Sequence, residues 1–256
     1  MDGGRFAARI RRLLRAVRGD ERERFALLLR LARSKLPGYP LTWPDIDWFT
    51  NDAFAEYLEP FGENDGLNKH RRWNMAELLR LTSDIPGDTA ECGVYLGAGS
   101  FLIAQMNAIA DSGRTHYAID SYEGLSEPGA EDGDHWEQGV FATPVDAVRN
   151  AFGDVGGVQF VKGWIPQVLD TLSDTSYSFV HVDVDLYQPT AASVAYFWPR
   201  LAPGGVLLCD DYGIGTCPGA TKALDEYFDG LAEAPIRLAA GGAFAIKGVA
   251  SGGPLF

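Results

Sequence analysis

Four aspartates occur at spacings that suit metal-assisted chemistry. Asp183 and Asp185 alternate in His181-Val182-Asp183-Val184-Asp185-Leu186-Tyr187, and Asp210 and Asp211 are adjacent in Cys209-Asp210-Asp211-Tyr212. Each pair follows an apolar run, Tyr177 to Val182 and Gly205 to Cys209, of the kind that forms a strand buried on both faces. Neighbouring parallel strands lie about 4.8 Å apart, so acids at both carboxyl ends reach a common point. Left alone they would repel and raise one another's pKa, a conflict that a hard divalent cation with oxygen ligands, Mg²⁺ first, resolves. The plainer alternative is two solvated acidic loops. A metal with open positions lowers the pKa of a substrate hydroxyl, and a nearby carboxylate takes the proton, leaving an alkoxide-like nucleophile.

A second constellation is the turn Glu91-Cys92-Gly93-Val94-Tyr95-Leu96-Gly97-Ala98-Gly99-Ser100, whose glycines let backbone approach a ligand closely. From Gly97 the dinucleotide order GxGxxG fails at Leu102, which weakens a nicotinamide reading. An acidic residue opening the loop suits a positively charged ligand, such as the ammonium and sulfonium of S-adenosylmethionine. Asp120 lies 23 residues beyond Gly97, about where an acid meets the ribose hydroxyls of a nucleoside cofactor. Alone, Asp120 also reads as a turn or capping residue, and the glycine loop as a tight strand–helix turn.

The elements that must hold these residues alternate. Strands are predicted at Thr89 to Val94, Thr115 to Ile119, Val158 to Val161, Tyr177 to Val182 and Gly205 to Cys209. Between and after them, helices are predicted at Ser100 to Ala110, Val145 to Phe152, Pro166 to Leu172, Thr190 to Leu201 and Thr221 to Leu231. This is an α/β, doubly wound, mostly parallel sheet, with ligands at the carboxyl ends of its strands. Ile236 to Ala239 and Ala243 to Lys247, separated by Gly241-Gly242, predict an antiparallel edge strand. A helix over His70 to Leu81, with Trp73, Leu78 and Leu81 inward, precedes the sheet. Before it, Leu36 to Glu63 is rich in Pro, aromatic residues and Asp and reads as a connector or lid, with a helical stretch near Asn51 to Leu58. The division expected is 1–70, an N-terminal helical extension with a lid, and 71–256, the ligand-binding domain.

Composition excludes other classes. The 256 residues are 46% hydrophobic and 22% charged, which rules out a disordered or collagenous chain. Cys92, Cys209 and Cys217 match neither a disulfide framework nor a zinc framework, and the four histidines are scattered. No apolar run is long enough for a membrane span and none reads as a secretory signal, so a cytoplasmic protein is expected. Residues 1–35 hold 11 of the 22 Lys+Arg against four acids, a segment of +7 on a remainder of −20. Ile10, Leu13, Leu14 and Val17, then Phe25, Leu28, Leu29 and Leu31, recur at helical spacing, so two amphipathic helices are expected there rather than a nucleic-acid arm.

Taken together, these motifs resemble the macrocin O-methyltransferase (TylF-like) family of Mg²⁺- and S-adenosylmethionine-dependent sugar O-methyltransferases of antibiotic biosynthesis. The resemblance covers roughly Arg71 to Phe228. It rests on Pro86-Gly87 before Glu91-Cys92-Gly93-Val94-Tyr95, on Asp120-Ser121-Tyr122-Glu123-Gly124-Leu125, on Gly163-Trp164, on Asp183-Val184-Asp185-Leu186-Tyr187, and on Pro203-Gly204-Gly205 before Asp210-Asp211-Tyr212. It implies a class I methyltransferase fold with Asp183, Asp210 and Asp211 holding the metal and Asp185 as general base. It further implies Glu91, Gly93, Tyr95 and Gly97 around the methionine part of the cofactor, Asp120 and Ser121 at the ribose, and Gly163 and Trp164 at the adenine. A small hydroxylated acceptor, a sugar or glycoside, and a homo-oligomer whose N-terminal and lid segments cover the site are implied as well.

Leu96 stands where members often carry arginine, Tyr122 replaces the usual Phe, and Gln188-Pro189-Thr190 replaces Glu-Ser-Thr. The segment Ser126 to Phe141 is long enough for a mobile cover, in which Trp136 either stacks on an acceptor or packs the loop. His181 is read as an interior hydrogen-bonded histidine, Lys162 and Lys222 as solvent-facing, and Cys209 as a small buried hydrophobe. Other functions compatible with the residues are a catechol-type O-methyltransferase, a non-catalytic module of the same fold, a nucleic-acid methyltransferase using the basic arm and, last, a nicotinamide oxidoreductase.

Overall fold

The sequence periodicities become seven strands and eight helices among the described residues, which in this computed structural model are 19, 21–35, 46–64 and 68–252. The helix expected around Ile10 to Val17 and the aromatic connector from Leu36 to Pro44 lie outside them. Two units are formed, Met1–Ala55 and Glu56–Phe256. The first contains helices α1 (Glu21–Lys35) and α2 (Asp47–Thr50). Helix α3 (Asp52–Leu58) runs across the division, and Asn51 caps it by accepting the Phe54 N–H on its side-chain oxygen at 2.9 Å. The division falls earlier than residue 70 because Leu58 and Phe61 are buried in the larger unit, where Phe61 packs on Phe101 at 5.3 Å between ring centroids.

In that unit helix α4 (Lys69–Leu81) precedes strand β1 (Asp88–Cys92), helix α5 (Ala98–Ile109), β2 (His116–Asp120), α6 (Val145–Ala151) and β3 (Val158–Lys162). Strand β4 (Tyr177–Val182), helix α7 (Tyr187–Phe197), strand β5 (Leu201–Cys209), helix α8 (Pro218–Phe228), and strands β6 (Ile236–Arg237) and β7 (Ala243–Ile246) complete it. The sheet order is β3-β2-β1-β4-β5-β7-β6. β1 to β5 are parallel, while β7 runs antiparallel to both β5 and β6. The expected doubly wound sheet with an antiparallel edge is therefore present.

Every residue of β4 is buried, as a central strand covered on both faces requires. On one face Val180, Val182 and Leu207 meet Val194 and Phe197 of α7 and Leu224 of α8. On the other, Phe179, Val206 and Leu208 meet Met75, Leu78 and Leu79 of α4 and Leu102 and Ile103 of α5. Each such side chain contributes about 1.5–3 kcal/mol on leaving water.

Three expectations are corrected. Leu81 points outward, 56% exposed, and Trp73 is only half-buried, because the inward stripe of α4 is Arg72, Met75 and Leu79, and Leu81 lies about 200° of helix rotation beyond Leu79. Pro166 to Leu172 forms only a short 3₁₀ segment, Gln167–Thr171, because Leu172 is already extended. Helix α7 begins at Tyr187 rather than Thr190 and ends at Phe197, since Leu201 already belongs to β5. No described helix is long and apolar enough to cross a membrane.

Candidate active site

The strand order reverses between β1 and β4, and the helices that follow these strands cover opposite faces, so a crevice opens at their carboxyl ends. A cavity of about 650 Å³ occupies it. Gly93 makes the crevice possible: its φ is +85° and a Cβ there would lie 1.8 Å from the Asp183 carbonyl oxygen. The exits of β1 and β4 thus lie against each other, the Asp183 N–H donating to the Cys92 carbonyl at 2.8 Å. Asp120 joins the same loop, its Oδ2 accepting the N–H groups of Val94 at 2.7 Å and Tyr95 at 3.2 Å while Oδ1 accepts that of Tyr122 at 2.6 Å. The Ser121 hydroxyl donates to the Gly124 carbonyl at 2.8 Å and accepts the Glu123 N–H at 3.0 Å, which closes the turn. Gly93, Tyr95, Asp120, Ser121, Gly163 and Trp164 all line the cavity.

Two expected contacts are absent from its wall. Gly97 carries the loop into α5 at φ +98°, against Val148 and Phe152, and does not face the cavity. Glu91 is 1% exposed and lies behind the wall, because Gly99 leaves room for its carboxylate against α5. There Glu91 accepts from the Ser100 hydroxyl and, at 2.8 Å, from Nδ1 of His181. His116, equally buried, lies 2.9 Å from the Ser100 hydroxyl and 3.0 Å from that of Thr89. Burial, then His181, pushes His116 down to about 3, so it is neutral. His181 behaves oppositely: burial disfavours its charge, but Asp210 and Glu91 raise it to about 10.

The four aspartates gather as expected, with companions that sequence reasoning missed. Asp183, Asp185 and Asp211 line the cavity, whereas Asp210 is 3% exposed and stands behind it. Arg71 Nε lies 3.2 Å from Asp210 Oδ2, and its Nη2 is 3.4 Å from Asp211 and 3.8 Å from Asp183. Arg72 binds Glu63 through Nε at 2.7 Å and Nη2 at 3.0 Å, and approaches Asp210 at 3.4 Å and Asp183 at 3.6 Å. Burial would raise Asp210, but Arg71, His181 and Arg72 pull it below the ordinary carboxylate range. Asp211 is raised by burial and by Asp185, and Asp185 is raised to about 7 by burial and by Asp183. A signal for the arginines was available, since Arg72 interrupts the apolar stripe of α4 and only a buried anion explains a cation there.

Asp185 sits at φ +58°, a left-handed conformation that aspartate tolerates. Its N–H donates to Asp211 Oδ2 at 2.8 Å, and its Oδ1 accepts from the Cys217 thiol at 3.5 Å. Burial, then Asp211 and Asp185, pushes Cys217 up to about 12, so it stays a donor. Donor atoms of Asp183, Asp210 and His181 converge within 4.8 Å, as do those of Asp185, Asp211 and Cys217. The carboxylates fit a hard divalent cation, because the three on the wall repel one another while the nearby arginines are shared with Asp210 and Glu63.

The segment from Ser126 to Phe141 is pinned by Asp132, a residue sequence reasoning did not single out as an anchor. Asp132 is 3% exposed, and its Oδ1 accepts the Tyr187 N–H at the start of α7 at 2.6 Å while Oδ2 accepts that of Gly129 at 2.7 Å. Gly219 of α8 allows this approach, since a Cβ there would lie 2.0 Å from Asp132 Oδ1. The loop so held sets Trp136 and Phe141, 5.3 Å apart, on the cavity wall, so Trp136 packs the loop and faces the cavity at once. Asp132→Ala is expected to free the loop, at a cost of about 1.5–3 kcal/mol for its charged hydrogen bonds. Glutamyl endopeptidase should then cut at Glu127, Glu131 or Glu137 at least about tenfold faster than in the parent protein. Equal cleavage rates would show that the loop is held by other contacts.

Comparison with known proteins places this geometry. Residues 68–234 match the sequence model of the macrocin-O-methyltransferase (TylF) family. The chain is 34% identical over 152 residues to the 8-demethyl-8-(2,3-dimethoxy-alpha-L-rhamnosyl)-tetracenomycin-C 4'-O-methyltransferase of Streptomyces olivaceus, covering 55% of this chain and 58% of that one. It is 29% identical over 161 residues to the demethyldecarbamoylnovobiocin O-methyltransferase of Streptomyces niveus, covering 57% and 60%. The matches therefore span about three fifths of the length of these relatives. Among solved structures, the calicheamicin methyltransferase CalS11 superposes with a TM-score of 0.62 at 21% identity, over 84% of this chain and 97% of that one. Its apo form, described as a TDP-rhamnose 3'-O-methyltransferase, gives 0.55 at 20% identity, over 90% and 97%. These likenesses show the fold, that of class I O-methyltransferases. Because the family match runs from α4 through every parallel strand to just beyond α8, the chain belongs to the macrocin-O-methyltransferase (TylF) family.

Proposed function

We propose that this protein transfers a methyl group from S-adenosylmethionine to a hydroxyl of a sugar or glycosylated natural product, assisted by Mg²⁺. The observation that carries the reading is one cavity bordered by two halves: the Gly93 loop with Asp120, and the acids Asp183, Asp185 and Asp211. Asp120 and Ser121 are the residues for the cofactor ribose, Gly163 and Trp164 for its adenine, and Gly93 and Tyr95 for its methionine part. Glu91 supports that loop from behind. Asp183, Asp210 and Asp211 would hold the metal, with Arg71 giving way where it now contacts all three.

When bound, S-adenosylmethionine supplies a methyl group on a sulfonium sulfur, and Mg²⁺ supplies a Lewis acid that favours an ionised hydroxyl. Asp185 would take the hydroxyl proton, leaving an acceptor oxygen able to receive the methyl group that S-adenosylmethionine would supply. The Asp211 carboxylate and the Cys217 thiol hold Asp185 in place for that transfer. The Gly93 turn and the loop pinned by Asp132 fix the two partners' relative position, which is the remaining requirement of a displacement in line.

The test is calorimetric titration of S-adenosylhomocysteine into metal-free protein, then of Mg²⁺, with an Asp183→Asn, Asp211→Asn variant and NAD as controls. Nucleoside binding with a Mg²⁺ response that the variant loses is the expected result. Binding of NAD in place of S-adenosylhomocysteine would overturn the reading in favour of an oxidoreductase. Sugar and catechol acceptors assayed side by side then separate the glycoside reading from a phenolic one.

A further inference from the structure

We infer that Arg71 is a built-in competitor of the metal: its guanidinium holds the same carboxylates that would bind Mg²⁺, so a divalent cation must displace it, and this exchange sets the Mg²⁺ concentration at which the site loads. The inference deepens the metal part of the O-methyltransferase reading and rests on it. The overlap is direct. Nε of Arg71 lies 3.2 Å from Asp210 Oδ2, and Nη2 lies 3.4 Å from Asp211 Oδ1 and 3.8 Å from Asp183 Oδ1. Nη2 also donates to the Asp210 backbone carbonyl at 3.0 Å. Among the described residues, every ion pair of Arg71 is with an acid proposed for the metal. Mg²⁺ gathers its oxygens tightly, at about 2.0–2.1 Å in a near-octahedral shell, and a guanidinium seated among the same carboxylates takes the ground that shell needs.

The neighbouring arginine is the contrasting case. Arg72 also approaches Asp210 at 3.4 Å and Asp183 at 3.6 Å, but it is anchored on Glu63 through Nε at 2.7 Å and Nη2 at 3.0 Å. Its side chain is 8% exposed, against 23% for Arg71, which lines the cavity and has room to leave. One arginine is a fixed strut; the other is exchangeable.

The helix that carries them favours the exchange. Helix α4 opens on Lys69, Arg71 and Arg72 with no acid in its first turn, the end at which the helix dipole disfavours positive charge. The acids at the exits of β4 and β5 offset that penalty for Arg71. When a divalent cation takes them, the guanidinium loses its partners and keeps the repulsion. A competitor seated on the acids lowers the apparent metal affinity in proportion to the time they are clear. Removing it should therefore tighten metal binding, and the unrelieved repulsion among the carboxylates acts in the same direction. If Arg71 served instead to align the acids, its removal would weaken the metal, so the sign of the change decides.

The experiment titrates MgCl₂ calorimetrically into full-length parent, Arg71→Met and Arg71→Lys proteins, each first freed of divalent ions with a chelator. Arg71→Met is expected to bind Mg²⁺ at least tenfold more tightly than the parent. Arg71→Lys should fall between them, because an ammonium keeps the charge without the planar fork. Thermal melts give a second readout: without Mg²⁺ the Arg71→Met protein should melt below the parent, and one fixed Mg²⁺ concentration should raise its midpoint by more. Equal or weaker Mg²⁺ binding by folded Arg71→Met protein overturns the inference. If that variant does not fold, Arg71→Lys decides, and an affinity no higher than the parent's overturns it. Absence of Mg²⁺ binding from every folded protein of the set is a separate result, which overturns the metal reading beneath it.

Discussion

Asp185→Asn protein is expected to lose about 10²–10⁴-fold in turnover while binding S-adenosylhomocysteine as the parent does, the range removed with a positioned general base. The substitution suits the site sterically. Asparagine tolerates the left-handed φ of +58°, its N–H still reaches Asp211, and its side-chain oxygen still accepts from Cys217. What disappears is a carboxylate able to take the hydroxyl proton. The hydrogen bonds of Asp185 run to Asp211 and Cys217. Single-turnover methyl transfer, with homocysteine-nucleoside titration on the same sample, separates chemistry from binding. Full activity would remove Asp185 as the base, and lost nucleoside affinity would mean that the site had collapsed.

The second large effect is on stability. Arg72→Met is expected to destabilise the fold by about 3–5 kcal/mol, because it leaves Glu63 and Asp210 as buried charges without their shared partner. At about 2–4 °C per kcal/mol for a unit of this size, the thermal midpoint should fall by about 10 °C. Adding Glu63→Gln should recover part of the loss, since the second change removes one of the stranded charges. The surface pair Arg80–Glu77, with side chains 68% and 50% exposed, is the control; Arg80→Met should cost less than about 1 kcal/mol. Equal effects at Arg72 and Arg80 would show that the buried network carries no particular weight. A melt of the four proteins at one pH and ionic strength decides the matter.

Arg72 also shows where sequence reasoning stops. The inward stripe expected for α4 ran through Trp73, Leu78 and Leu81 and left Arg72 off it, and the partners of Arg72 lie 9 residues away at Glu63 and 138 away at Asp210, where only the sheet order brings the latter close. Asp132 was less legible still, an acid in a polar loop among other acids. It differs from Glu131 and Asp134 because the start of α7, 55 residues on, presents an N–H to it. Glu91 was expected to face the cofactor, and the pleat and the gap above Gly99 turned it instead toward His181.

By itself the sequence determined the alternation of strands and helices, the antiparallel edge, the glycine turn and the four aspartates at strand ends. These are properties of near neighbours: a period of two or 3.6 residues, a glycine where φ must be positive, an acid where a buried run stops. Only the tertiary structure decided which acids face the cavity, which are neutralised by Arg71, Arg72 and His181, and that the covering loop is pinned. Charges interact through space with a strength set by distance and burial, and neither is written in the spacing of residues along the chain.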